Sequence, residues 1–151
     1  MNRPEPAITG LARQRLRLWL RLLGATREIE TELRERMRVE FDTTLPRFDV
    51  MAALARAPEG LKMSELSRAL RVSNGNVTGI IDRLAADGMV ARAAIDGDRR
   101  ATLVRLTGAG RAEFERMAVA HAGWIDARLA ALDAGDLRVM VEGFQRIRRT
   151  E

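Results

Sequence analysis

Residues 64–107 constrain this chain more than any other stretch, because three different local signals follow one another there without a gap. The middle signal runs from Ser73 to Leu84. It places Val77, Ile80, Ile81 and Leu84 at i, i+3, i+4 and i+7, so they form one apolar stripe on a helix. The opposite face carries Asn74, Asn76, Thr78, Gly79, Asp82 and Arg83. Ser73 can cap the helix start, since its hydroxyl can accept from a backbone N–H that lacks an intrahelical partner. A capped amphipathic helix is common in soluble proteins, and alone it reads more readily as an ordinary solvated surface than as a DNA reader.

The flanking signals narrow the reading. Upstream, Met63, Leu66 and Leu70 lie at i, i+3 and i+7, which predicts a short helix over 63–70 ended by the Arg71-Val72-Ser73 link. Two helices joined by three or four residues make a helix-turn-helix. Downstream, Gly88 predicts a C-cap, and two β-prone runs follow at 89–95 and 101–106. Between them lies Asp96-Gly97-Asp98-Arg99-Arg100, an Asp-Gly turn with a charged tip. A hairpin directly after such a helix is a wing. In that setting the second helix presents short polar side chains as a recognition helix does to the major groove. There Asn can bond an adenine edge and a Thr methyl can meet a thymine methyl.

The ordered residues Ser64-Glu65-Leu66, Val72-Ser73, Val77-Thr78, Asp82-Arg83-Leu84, Gly88-Met89-Val90, Arg92, Asp98-Arg99-Arg100 and Val104-x-Leu106-Thr107-x-x-Gly110 resemble the winged-helix domain of MarR-type transcriptional regulators. The resemblance implies a mainly α fold: a winged helix-turn-helix with a small β-hairpin wing, flanked by long N- and C-terminal dimerisation helices. It also implies that Asp98 orients Arg100, whose guanidinium enters a flanking minor groove. A narrow A/T-rich groove concentrates negative potential, and a carboxylate two residues away can hold the fork. Without the resemblance, these charges would read as a solubilising hairpin tip. Family members often carry Arg where this chain has Gly79 and a capping Thr near Lys62, so one guanine contact and one cap are in doubt here.

Within each half-site we expect Asn74, Asn76 and Thr78 at base edges, with Ser73 and Arg83 on phosphate. Arg92, Asp98, Arg99 and Arg100 complete the expected DNA-binding set. The net charge of +5 suits a polyanion partner, though many soluble proteins are mildly basic. Lys62 is the one lysine among 26 basic residues, a skew that codon usage explains as well as function does. Arg68, Arg71, Arg83, Arg92, Arg99, Arg100 and Arg105 nevertheless lie in or beside this unit.

Taken in order, residues 1–10 hold Pro4 and Pro6 and read as a loose arm. A helical pattern then covers 11–41, with Leu18, Leu22, Ala25, Ile29, Leu33 and Met37 at steps of three and four. At 1.5 Å per residue it is about 45 Å long, more than a small domain needs. Thr43 or Thr44 can cap a helix at 45–57 that has Pro46 in its first turn; Phe48, Met51, Leu54 and Ala55 face inward. After the winged region at 45–107, Thr107 can cap a helix reaching about Leu132, with Phe114, Met117, His121, Trp124 and Leu129 on its stripe. Asp133 and Asp136 open a last helix carrying Leu137, Met140, Val141, Phe144 and Ile147. The helices at 11–41 and 108–151 thus offer three apolar stripes, more than a winged helix can cover. An obligate twofold homodimer on a pseudo-palindromic operator accounts for them.

Other function classes fare poorly. The chain has no cysteine, so it has no disulfide, thiolate metal site or thiol switch. No apolar run approaches a bilayer span and no signal-peptide core is present, so a cytoplasmic protein is expected. His121 is the single histidine, no Tyr occurs, and no Gly-rich phosphate loop or metal-ligand spacing is found. We therefore expect no enzyme, no metal and no cofactor. The resemblance implies a small anionic aromatic effector or its thioester, held where the dimer helices meet the winged domain. Trp19, Arg47, Phe48, His121 and Trp124 are the candidate lining, as apolar walls plus one cation; taken singly, each reads more readily as an ordinary core or interface residue. Two functions remain open: a dimeric regulator, most simply a repressor released by effector, or a winged-helix architectural or protein-interaction module. Polar residues at the exposed turn favour the first, since an interaction module would show an apolar patch there.

Overall fold

The structure is a computed structural model that describes residues 8–70 and 74–148. The order is α1 (Gly10–Phe41), α2 (Leu45–Ala55), β1 (Leu61–Lys62), α3 (Met63–Leu70), α4 (Asn74–Ala86), β2 (Val90–Ile95), β3 (Asp98–Leu106), α5 (Gly108–Arg128) and α6 (Ala134–Arg148). The chain divides into two compact units, residues 1–42 and 43–151.

The first unit is α1. Thr9 caps it by accepting from the Ala12 N–H at 3.3 Å, so the helix begins one residue earlier than its apolar pattern and the expected arm loses its last residues to the cap. The helix ends on Asp42, which takes a left-handed conformation at φ 49° and donates its N–H back to the Arg38 carbonyl. Leu11, Leu16, Leu18, Trp19 and Leu20 stand exposed along its first half. On the polar side, Arg34–Glu30, Arg36–Glu32 and Arg38–Glu35 pair one turn apart.

The second unit is built around α2. Thr44, not Thr43, is its cap, accepting from the Arg47 N–H. Phe48, Val50, Met51, Ala53 and Leu54 are all buried, so α2 is covered on most of its circumference and not on one stripe alone. This follows from its position, because α3, α4, α5 and β3 all pack against it. Leu66 of α3, Val77, Ile81 and Leu84 of α4, Val104 of β3 and Met117 of α5 complete the core. The helix ends at Ala55, two residues before the expected boundary.

The sheet has three antiparallel strands in the order β1-β3-β2, one more than the predicted hairpin. Two residues, Leu61 and Lys62, pair with Val104 and Leu103. So short a strand has no alternation to detect, and it exists only because β3 offers an edge. Lys62 also occupies the position where a capping Thr was missed. Its backbone N–H donates to the Glu65 carboxylate at 2.8 Å, which is the reciprocal half of a capping box supplied from the third helical residue.

The end of α4 is a Schellman motif. Met89 N–H donates to the Leu84 carbonyl and Gly88 N–H to the Ala85 carbonyl, with Gly88 at φ +72°. The chain then turns into β2, and Thr107 closes the loop at the far end of β3. Its Oγ accepts from the Gly110 N–H and lies 2.6 Å from the Gly88 carbonyl oxygen and 3.2 Å from that of Met89. One hydroxyl proton serves one acceptor, and the shorter contact identifies Gly88. Gly110 is required by the same junction: a Cβ there would stand 1.9 Å from the Met89 carbonyl oxygen. At α6 the expected aspartates cap one another's backbone, Asp133 Oδ1 on Asp136 N–H and Asp136 Oδ2 on Asp133 N–H. That helix buries none of its residues, and Leu137, Met140, Val141, Phe144 and Ile147 are exposed.

Candidate nucleic-acid interface

The buried stripe of α4 decides which of its residues face outward. Val77, Ile81 and Leu84 are almost fully covered, so Asn76, Thr78, Gly79, Asp82 and Arg83 are left on the solvent side, and each is exposed. Asn74 is the first residue of this helix, but its side chain lies outside the described residues, as does all of Ser73. The expected cap by Ser73 therefore falls on undescribed ground.

The wing is tied to this helix by one bond that the sequence reading did not foresee. Arg92 on β2 donates through Nη1 to Asp82 Oδ1 at 2.5 Å. Both side chains are about half exposed, so the pair adds little stability. It bridges the outward face of α4 and the hairpin that follows. Arg92 was expected on DNA; in the chain as described it faces Asp82. Ten residues and a reversal of chain direction separate the two, and no local periodicity links them.

The hairpin itself is irregular at its tip. From Val90 opposite Leu106 to Ala94 opposite Thr102 the register is regular, but Ile95 pairs with Asp98. Residues 99–101 on β3 are thus extra, opposite the step from Ala94 to Ile95. A bulge of this kind bends a strand and re-aims what it carries. Gly97 makes the turn at φ +84°. Asp98 is exposed at the first position of β3; the side chains of Arg99 and Arg100 lie outside the described residues, and the expected Asp98–Arg100 orientation falls there with them.

The five residues expected to line an effector cleft separate into three groups. Phe48 and His121 come together: their rings stack at 4.7 Å, and Phe114 joins on the other side at 5.6 Å from Phe48. Phe48 is 5% exposed and Trp124, one turn beyond His121, is 9% exposed, so both serve the core. Arg47 turns elsewhere. It donates through Nη2 to Asp87 Oδ2 at 2.5 Å, joining the first turn of α2 to the residue after α4, while its buried Nε has no hydrogen-bond partner among the described residues. Trp19 is exposed on α1, in the other unit. Burial holds the His121 imidazole below its usual pKa, against a smaller opposing influence from Asp49.

Among the described residues no group of His, Cys, Asp and Glu has a metal-binding arrangement, and no helix is long and apolar enough to cross a membrane. The model of the MarR family matches residues 41–101. Over 76 residues the chain is 37% identical to the HTH-type transcriptional regulator PecS of Dickeya dadantii, which is 49% of this chain and 46% of that protein. The chain therefore spans about half the length of this curated relative. A MarR family transcriptional regulator from Silicibacter pomeroyi superposes with a TM-score of 0.80 at 33% identity, covering 94% of this chain and 98% of the other. A mutant MarR from E. coli, crystallised in complex with operator DNA, superposes at 0.77 with 23% identity over 92% and 99% of the two chains, a likeness of fold.

Proposed function

We propose that this chain, which belongs to the MarR family of winged helix-turn-helix transcriptional regulators, acts in the cytoplasm as a homodimer that binds a pseudo-palindromic operator and represses transcription until a small anionic aromatic compound releases it. The observation that carries the DNA reading is the outward face of α4, where Asn76, Thr78 and Arg83 stand exposed beside a wing held to the same helix by Arg92 and Asp82. Asn76 and Thr78, with Asn74, contact base edges; Ser73 and Arg83 contact phosphate. Arg100 enters the flanking minor groove from the hairpin tip, held by Asp98, and Arg99 contacts DNA beside it. Arg92 acts through the wing's angle as well as through its charge.

Dimerisation is supported by the exposed apolar residues of α1 and of α6. Leaving so many large apolar side chains in water is unfavourable, and a twofold partner removes them. Two recognition helices then meet successive major grooves about 34 Å apart. The effector reading rests on His121 and its stack on Phe48, with Trp124 as further apolar wall; Arg47, the expected cation, is engaged by Asp87 and meets a carboxylate only by exchanging that partner.

The test is fluorescence anisotropy of the protein on duplex from its own promoter region and on random duplex, across a salt series, followed by titration with aromatic acids and their thioesters. The regulator reading expects clear preference for the promoter duplex, a steep salt slope and release by one compound class. Equal affinity for both duplexes would instead mark an architectural or protein-interaction module. Release by no compound would leave a DNA-binding regulator without an effector of this class.

A further inference from the structure

On the outward face of α4 one residue has no reason inside the protein to be what it is. Gly79 is exposed and lies roughly opposite the buried stripe of Val77, Ile81 and Leu84. A glycine inside a helix weakens it relative to alanine, through the greater freedom of the unfolded chain. Two things usually offset that cost, a left-handed backbone or a close neighbour. Neither applies. Among the described residues the left-handed region is occupied at Asp42, Gly60, Gly88 and Gly97 and not at Gly79, and a Cβ added to Gly79 would meet no atom within 4 Å. Gly24 and Gly123 share that openness, and both lie on helices assigned above to the dimer, α1 and α5.

We infer that Gly79 is a specificity-determining residue whose bare Cα admits a thymine methyl of the operator closer to the helix than any side chain would allow. This rests on the DNA-binding reading above. The chemistry selects the group. Gly79 offers neither donor nor acceptor from a side chain, and its helical backbone groups are engaged within the helix, so its surface is small and apolar. It is flanked by Asn76 and Arg83 on one side and by Thr78 and Asp82 on the other, so the polar base edges have other partners. Of the groups that line the major groove, the apolar one projecting toward a protein is the thymine 5-methyl.

The experiment pairs a methyl added to the protein with a methyl removed from the DNA. Gly79→Ala is measured by anisotropy on the promoter duplex, on random duplex, and on promoter duplexes in which each thymine in turn is replaced by deoxyuridine, which lacks only the 5-methyl. Thermal unfolding is followed in parallel. The expected result is a higher unfolding midpoint, at least tenfold weaker binding to the promoter duplex, random-duplex binding within twofold of wild type, and recovery of most of the loss by deoxyuridine at one position per half-site. Undiminished affinity of Gly79→Ala overturns the inference, and so does a loss that deoxyuridine restores nowhere. The wild-type arm is read first: no preference for the promoter duplex there refutes the DNA-binding reading itself, and this inference with it.

Discussion

Asn76 and His121 illustrate two kinds of residue in this molecule, one with its face to solvent and one with its ring against a core. Asn76 stands exposed in the first turns of α4 with an amide that can bond an adenine edge bidentately. Asn76→Ala is expected to relax preference at one base position by about 1–3 kcal/mol and to leave binding to random duplex unchanged, read from a panel of single-base operator variants. His121 is held neutral by burial against Phe48. Its folded pKa lies below the unfolded value, so the unfolded chain takes up the proton first as pH falls. The stability of the neutral ring is fully present above the unfolded pKa of about 6.5 and is lost as pH drops through and below it. Urea midpoints of wild type should therefore fall between pH 7.5 and pH 5 by more than those of His121→Phe; parallel curves would show that this ring titrates alike in both states. The His121 stripe position was legible in the sequence, whereas its stacking on Phe48 was not, because residues 73 positions apart meet only through the packing of α2 on α5.

At the scale of elements, the junctions carry the organisation of the winged unit. Thr107 joins two of them: it caps α5 by accepting from the Gly110 N–H and donates to the carbonyl of Gly88 at the end of α4. Thr107→Val keeps the shape but removes both bonds, and it should cost about 1–3 kcal/mol in chemical denaturation, the range for a lost cap and an unpaired carbonyl. Arg92 and Asp82 join α4 to the wing across half-exposed surface. Arg92→Ala should change stability by less than about 1 kcal/mol yet weaken promoter binding at least tenfold. A variant that loses stability and affinity in proportion would make the pair a structural prop instead. The cap residues Thr107, Asp133 and Asp136 were readable in advance, and that of α2 to within Thr43 or Thr44, because a cap is specified within four residues. The strand β1 was not, since its two residues are a strand only by pairing with β3.

For the whole molecule, the telling feature is how much apolar surface α1 and α6 leave uncovered within one chain. Phe144→Arg, on a helix that buries nothing internally, should shift the protein from dimer to monomer in sedimentation velocity. It should weaken promoter binding at least tenfold, because half-sites held by separate subunits lose their linkage. A Phe144→Arg protein that remains dimeric would take α6 out of the interface. What the sequence determined by itself is whatever operates within about a turn of chain: helix periods, caps, the glycine stops and the Asp-Gly hairpin, together with the ordered residues that carry the family resemblance. What only the tertiary structure decided is the set of pairings across distance: Arg92 on Asp82, Arg47 on Asp87, the ring stack of Phe48, and the bulge at residues 99–101. Local geometry depends on near neighbours and is therefore written in spacing. A pairing between distant residues depends on how whole elements pack, and several such packings suit the same pattern of apolar and polar positions.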